Sequence, residues 1–187
     1  MTNYVDHAGQ FEKYDFSSVI TKQDQEDAVK RITDIVNSGQ YFKNSPKYQT
    51  QVNLFGTVDP LWMKFRMSFI FSVFMYLGKE VTINQLMAWS FMTNNEITED
   101  RDNLWHTHHY TPGKTTISGI WYLKIPTDAD YKSSGTEFAP NGVDQAERLT
   151  MAPVEGHWLI YPGRIYHRPT APQSKDYRYI IAADLEF

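Results

Sequence analysis

Four histidines carry most of the chemistry this chain offers. His106, His108 and His109 fall within W-H-T-H-H-Y, and His167 lies downstream in Y-P-G-R-I-Y-H-R-P, in a sequence of 187 residues with only six histidines. Imidazole nitrogens suit iron, zinc, copper and nickel, so histidines gathered at one point are first of all a metal site. In an extended strand, residues two apart face the same way, so His106 and His108 project together while Thr107 and His109 project to the other side. Two ligands alone make a weak site. His167, after the turn Pro162-Gly163, is the residue to supply a third. The plain alternative is that histidines at alternate positions are surface or hydrogen-bonded groups, and His7, His109 and His157 are read that way.

Composition narrows the classes. Cysteine is absent, which excludes disulfides, thiolate metal sites and cysteine nucleophiles. A net charge of −4 without a dense Lys/Arg block argues against non-specific nucleic-acid binding through phosphate neutralisation. Apolar content of 41% and charged content of 21% belong to a globular chain, long enough for one domain with its own core. Aromatic residues make up 15%, which favours strands and a walled pocket. Trp105, Tyr110, Trp121, Tyr161 and Tyr166 are candidates for its walls, each equally available to the core. The N-terminal M-T-N-Y-V-D-H-A-G-Q-F-E-K-Y-D-F has no basic stretch leading into an apolar one, so no secretory signal is read and a cytoplasmic location is expected.

The elements that must position the histidines follow from periodicity. Residues 1–20 read as irregular or strand-like. A helix begins after Thr21, with Ala28, Val29, Ile32, Ile35 and Val36 at helical spacing and Gly39 as its stop. A second begins at Asp59-Pro60, a cap followed by proline at the first helical position, and runs to Gly78. Its apolar run Met67–Leu77, relieved by two serines, is too short for the ~30 Å hydrocarbon core of a membrane and reads as a buried helix lying against a sheet. Short strands are expected at Leu86–Met92, Leu104–Tyr110, Ile117–Ile125, Gly135–Phe138, Glu147–Ala152, His157–Tyr161 and Tyr177–Phe187, divided by Gly, Pro and Asn turns. Helices first and short strands afterwards predict a mainly β, α+β chain: an antiparallel sandwich or barrel with helices packed on one side. The expected organisation is a single domain, 1–187, in which residues 1–85 support a core at 86–187.

From Leu104 to Phe187 the sequence resembles the iron(II)- and 2-oxoglutarate-dependent oxygenases, closest in layout to their prolyl-hydroxylase-like branch and to bacteriophage-encoded members. The family pattern runs from H-x-D through a strand ending in aromatic-Tyr-Leu, a G-G-E-like turn, P-x-x-G and a second histidine to a basic residue on the last strand. Here His106 matches the first histidine and Trp121-Tyr122-Leu123 the strand end. Gly135-Thr136-Glu137-Phe138 stands at the turn, Pro153-Val154-Glu155-Gly156 precedes Trp158-Leu159-Ile160-Tyr161, and His167 and Arg178 complete the order. The resemblance implies a double-stranded β-helix, or jelly roll, that binds Fe(II) and uses 2-oxoglutarate and O2 to hydroxylate a small-molecule or peptide substrate. His106 and His167 would be metal ligands. Arg178 would hold the distal carboxylate of 2-oxoglutarate, a task that suits a planar guanidinium able to make two parallel hydrogen bonds. Tyr122 would donate to the same carboxylate.

One position departs from the pattern. The carboxylate ligand falls at His108, which changes a two-histidine-one-carboxylate set into His106, His108 and His167 and raises the net charge of the centre. Glu137 or Asp102 approaching the metal instead is the other arrangement. Two rival readings stand beside the oxygenase. A cupin-type metal protein also carries H-x-H, and Gly156, Pro162 and His167 fit its second motif, but the glutamate it needs is missing from Tyr110–Gly113. The third reading is a non-catalytic barrel whose histidines are incidental or hold a structural metal.

Overall fold

The computed structural model describes residues 10–42, 48–96, 105–130, 134–170 and 172–187. His7 and Asp102 lie outside them, as does Leu104.

Both helices form where their caps predict. Helix α1, Lys22–Asn37, starts from Thr21, whose hydroxyl accepts from the Asp24 amide while the Asp24 carboxylate accepts from the Thr21 amide, a reciprocal capping box. It buries Ala28, Ile32 and Val36 along one stripe. Helix α2, Pro60–Leu77, is capped by Asp59, which accepts from the Leu61 amide, and ends at Gly78 with φ 64°, a left-handed conformation that glycine adopts without steric cost.

Among the described residues nine strands build two sheets, and the named strands pair antiparallel throughout. The larger sheet has the order β1-β7-β4-β9-β3-β2, formed by β1 Glu12–Asp15, β7 His157–Pro162, β4 Thr116–Lys124, β9 Arg178–Glu186, β3 Gln85–Thr93 and β2 Tyr48–Gln49. The smaller has the order β6-β5-β8, from β6 Leu149–Met151, β5 Thr136–Ala139 and β8 Tyr166–Pro169. The strand expected at Leu104–Tyr110 is not one. Its described part makes a single antiparallel bridge, His106 to His167, and one further backbone hydrogen bond, from His108 to Gly163. Strand β8, not anticipated, takes up the residues around His167 instead.

Period two divides the central strands of the larger sheet between two cores. Ile117, Trp121 and Leu123 of β4, Trp158 and Ile160 of β7, and Tyr179, Ile181, Ala183 and Leu185 of β9 pack with the helices. Their alternates Ile120, Tyr122, Leu159, Tyr161 and Ile180 pack with Phe138 of the smaller sheet. These central strands therefore give one face to the helices and the other to the space between the sheets, which is why β4 and β9 read as near-continuous apolar runs. Among the described residues no helix is long and apolar enough to cross a membrane.

Helix α2 lies against the sheet as expected, but it is buried only in part. Phe65, Phe69 and Val73 are buried against the sheet, but so are its two serines, while Met63, Met67, Phe71 and Met75 remain 36–53% exposed. The serines have a reason to face inward: Ser68 Oγ accepts from Trp158 Nε1 at 2.8 Å and donates to the Phe65 carbonyl, and Ser72 donates to the Ser68 carbonyl.

Candidate metal centre and its cavity

The segment that carries His106 and His108 is pinned rather than paired along its length. His106 and His167 exchange backbone hydrogen bonds of 3.1 and 3.0 Å, and the His108 amide donates to the Gly163 carbonyl at 2.8 Å. Gly163 allows this approach, since a Cβ there would stand 2.8 Å from the His108 carbonyl oxygen. Further on, the Thr111 amide donates to the Glu186 carboxylate at 2.9 Å, which fastens the segment to the end of β9.

Three imidazoles meet as a result. One ring nitrogen from each of His106, His108 and His167 lies within 4.8 Å of the others, and the ring centroids are 4.3–5.1 Å apart. Bonds of about 2.1 Å are usual for imidazole on a divalent ion, so a small inward shift of the rings brings all three onto one centre. Two of the tautomers are set by neighbours. His167 Nδ1 faces the Ile165 carbonyl at 2.9 Å, and His108 Nδ1 faces Asp184 Oδ2 at 2.5 Å. A carbonyl and a carboxylate only accept, so each Nδ1 carries the hydrogen and each Nε2 keeps its lone pair. That donor set fits a divalent transition metal.

Asp184 itself is 2% exposed and accepts twice more, from Ser118 Oγ at 2.6 Å and from Tyr110 Oη at 2.5 Å. Burial, and then the negative charge of Asp184, pushes the Tyr161 phenol well above its ordinary value, so it stays protonated beside His167.

The triad opens on a cavity whose walls include Trp89, Phe91, Thr93, Thr136, Tyr161, Ile180 and Arg178. Arg178 is 2% exposed, and its Nη1 donates to the carbonyls of Ser134 at 2.7 Å and Gly135 at 3.1 Å, which fixes the guanidinium plane. Thr93 pairs with Arg178 across β3 and β9, so both side chains point between the sheets. The buried Thr93 Oγ1 and Trp89 Nε1 have no hydrogen-bond partner among the described residues, so the same wall holds two polar atoms that a bound molecule can satisfy.

The remaining sequence candidates separate by face. Tyr122 is not among the residues lining the cavity; its hydroxyl meets Thr136 Oγ1 at 2.8 Å, and Thr136 lines it. Glu137 lies between Thr136 and Phe138 and points to the other face of β5, where it accepts from Arg168 Nε at 2.6 Å, away from the histidines. Trp121 faces the helices and donates to Gln25, Tyr166 is 41% exposed, and Trp105 stacks under the guanidinium of Arg168 at 4.5 Å. Of the aromatic wall candidates, Tyr161 lines the cavity. Trp89 and Phe91 were missed, and their signal was phase: they alternate with Ala88 and Ser90 and share a face with Thr93. Asp184 was missed as well, although it stands in phase with Arg178 as a carboxylate inside an apolar run. His109 is exposed, and His157 donates to the Glu155 carbonyl on the rim of β7.

No protein-family model and no curated protein matches the sequence. Solved structures match the fold. A prolyl hydroxylase from Trichoplax adhaerens, in complex with a hypoxia-inducible-factor oxygen degradation domain peptide fragment, aligns over 96% of this chain and 84% of its own with a TM-score of 0.65 at 12% identity. The viral collagen prolyl hydroxylase of Paramecium bursaria chlorella virus 1, in its 2-oxoglutarate complex, aligns over 97% and 98% with a TM-score of 0.59 at 13% identity. A Pseudomonas putida prolyl-4-hydroxylase aligns over 94% and 91% with a TM-score of 0.61 at 8% identity.

Proposed function

We propose that this chain, which has the fold of the iron(II)- and 2-oxoglutarate-dependent oxygenases with prolyl hydroxylases among its structural neighbours, is itself such an oxygenase built on a jelly-roll core. The observation that carries the reading is the shared cavity. Three convergent imidazoles stand in one wall and a buried, immobilised guanidinium in another, with buried unsatisfied polar atoms beside it.

His106, His108 and His167 hold Fe(II). Arg178 takes the distal carboxylate of 2-oxoglutarate, with the Thr93 and Thr136 hydroxyls as further donors; Tyr122 acts by orienting Thr136 rather than by direct contact. When bound, iron and 2-oxoglutarate supply O2 activation, with one oxygen atom entering succinate as CO2 leaves and the other entering a substrate C–H bond as hydroxyl. The chain's own part is geometric and electrostatic. The fixed Nδ1–H donors aim two lone pairs at the ion, the two apolar walls Phe91 and Ile180 exclude water from the cosubstrate, and Tyr161 stays protonated beside His167. The substrate is a small molecule or a peptide.

The test is an anaerobic titration of the iron(II)-loaded protein with 2-oxoglutarate. A visible metal-to-ligand charge-transfer band that saturates at one equivalent is expected. Iron bound without any such band at high 2-oxoglutarate would sink the oxygenase and favour a metal protein that does not use this cosubstrate.

A further inference from the structure

The family pattern asks for a carboxylate where this chain has His108, and the structure holds a carboxylate directly behind that histidine. Asp184 Oδ2 lies 2.5 Å from His108 Nδ1. Asp184 belongs to β9, on the face that also carries Arg178, Ile180 and Ala182, and it is locked in place by the Ser118 and Tyr110 hydroxyls. A carboxylate removed from water is strongly disfavoured unless its partners compensate, so this arrangement is specific to those partners.

Resting on the reading of His106, His108 and His167 as ligands, we propose that Asp184 is the positioning residue of that centre. Its carboxylate fixes the tautomer and aim of His108 and carries, one imidazole removed from the ion, the negative charge that the resembled family places on the ligand itself. Three neutral imidazoles alone leave a divalent charge uncompensated in a cavity walled by Trp89, Phe91 and Ile180. A carboxylate bonded to Nδ1 raises the basicity of Nε2 and restores part of that charge balance through the ring. The Ser118 and Tyr110 hydroxyls hold both oxygens of Asp184, so the carboxylate cannot turn towards the ion and displace His108. The charge is kept in the second layer. A merely structural Asp184, tying the segment around His108 to β9, would make the same contacts but would leave metal binding untouched once the fold is intact.

Two measurements on the full chain separate these roles. The first needs no substitution: side-chain nitrogen NMR of the metal-free protein labelled at histidine. His108 is expected as the Nδ1–H tautomer with a far-downfield, slowly exchanging proton, and the Nε2–H tautomer at His108 overturns the proposal. The second is Co(II) affinity by chelator competition, read with the Co(II) ligand-field spectrum. Asp184→Asn is expected to weaken binding by about 10–100-fold and to shift the spectrum. His108→Ala should already include that loss, so His108→Ala combined with Asp184→Asn binds no more weakly than His108→Ala. Equal and additive losses in the two single variants overturn the role through His108. A wild-type chain that takes up no Co(II) removes the metal centre itself. One that binds one equivalent, with Asp184→Asn binding as tightly and with the same spectrum, overturns Asp184 alone.

Discussion

His108 and Arg178 illustrate how much a single side chain's meaning depends on what stands behind it. In the proposed assignment His108 serves as a ligand with Asp184 occupying its other nitrogen, and Arg178 serves as the cosubstrate clamp with two backbone carbonyls occupying its Nη1. The second assignment predicts a clean division of effects. Arg178→Met should raise the dissociation constant of 2-oxoglutarate by about two orders of magnitude, the scale of a lost charge-assisted pair. Thr93→Val, which keeps the shape and removes the hydroxyl, should raise it about fivefold, the worth of one neutral hydrogen bond. Fe(II) affinity should stay within about twofold in both, since neither residue is in the imidazole set. Calorimetric titration of metal, then of 2-oxoglutarate, measures both; a parallel loss of the two affinities in Arg178→Met would remove Arg178 from the proposed role. At this scale the histidine triad was legible in the sequence, because period two selects His106 and His108 over His109 whether or not the segment forms a full strand. Asp184 and Thr93 were not legible as partners, because each depends on a cross-strand neighbour, and register is a tertiary property.

Helix α2 is the element whose facing the sequence pattern left most open. An apolar run with two serines reads as a buried helix against a sheet without saying which face is buried, and in the fold Ser68 and Ser72 point inward and the methionines outward. The larger sheet imposes this by presenting a buried indole N–H, that of Trp158, which must find an acceptor. Ser68→Ala therefore leaves Trp158 Nε1 buried without its acceptor and should cost about 1–3 kcal/mol of stability. Urea denaturation followed by tryptophan fluorescence measures it, and an unchanged midpoint would mean that the hydrogen bond contributes nothing. Trp158 faces the helices, so the 2-oxoglutarate charge-transfer band of the folded variant should be unaltered. The capped ends of both helices, and strands β3, β4, β7 and β9, were readable to within a residue or two because caps and alternation are local. Strand β8 was not, since the four residues Y-H-R-P become a strand only by pairing with β5.

The whole molecule places its candidate centre where separate parts of the chain converge. His167 comes from the smaller sheet, His108 is backed by β9 of the larger one, and His106 is bonded through its backbone to His167. The fold class was visible in the order of elements, while the meeting of the sheets at the histidines was not, because nothing local encodes which strand ends face each other across a sandwich. This convergence predicts a coupling between metal and global stability. An ion bound by all three imidazoles needs the folded arrangement and has no such site in the unfolded chain, so it should stabilise by about 2.7 kcal/mol at a free concentration one hundred times its dissociation constant. For a domain of this size that corresponds to roughly 5–10 °C in the unfolding midpoint. Thermal unfolding with Zn(II) as a redox-silent probe should show the rise, chelator should reverse it, and His167→Ala should abolish it while leaving the metal-free midpoint largely in place. An ion that binds one equivalent yet leaves the midpoint unmoved would have to bind the unfolded chain as tightly as the folded one, and a three-histidine centre that only the fold assembles would then be wrong in its geometry even if every residue in it had been named correctly.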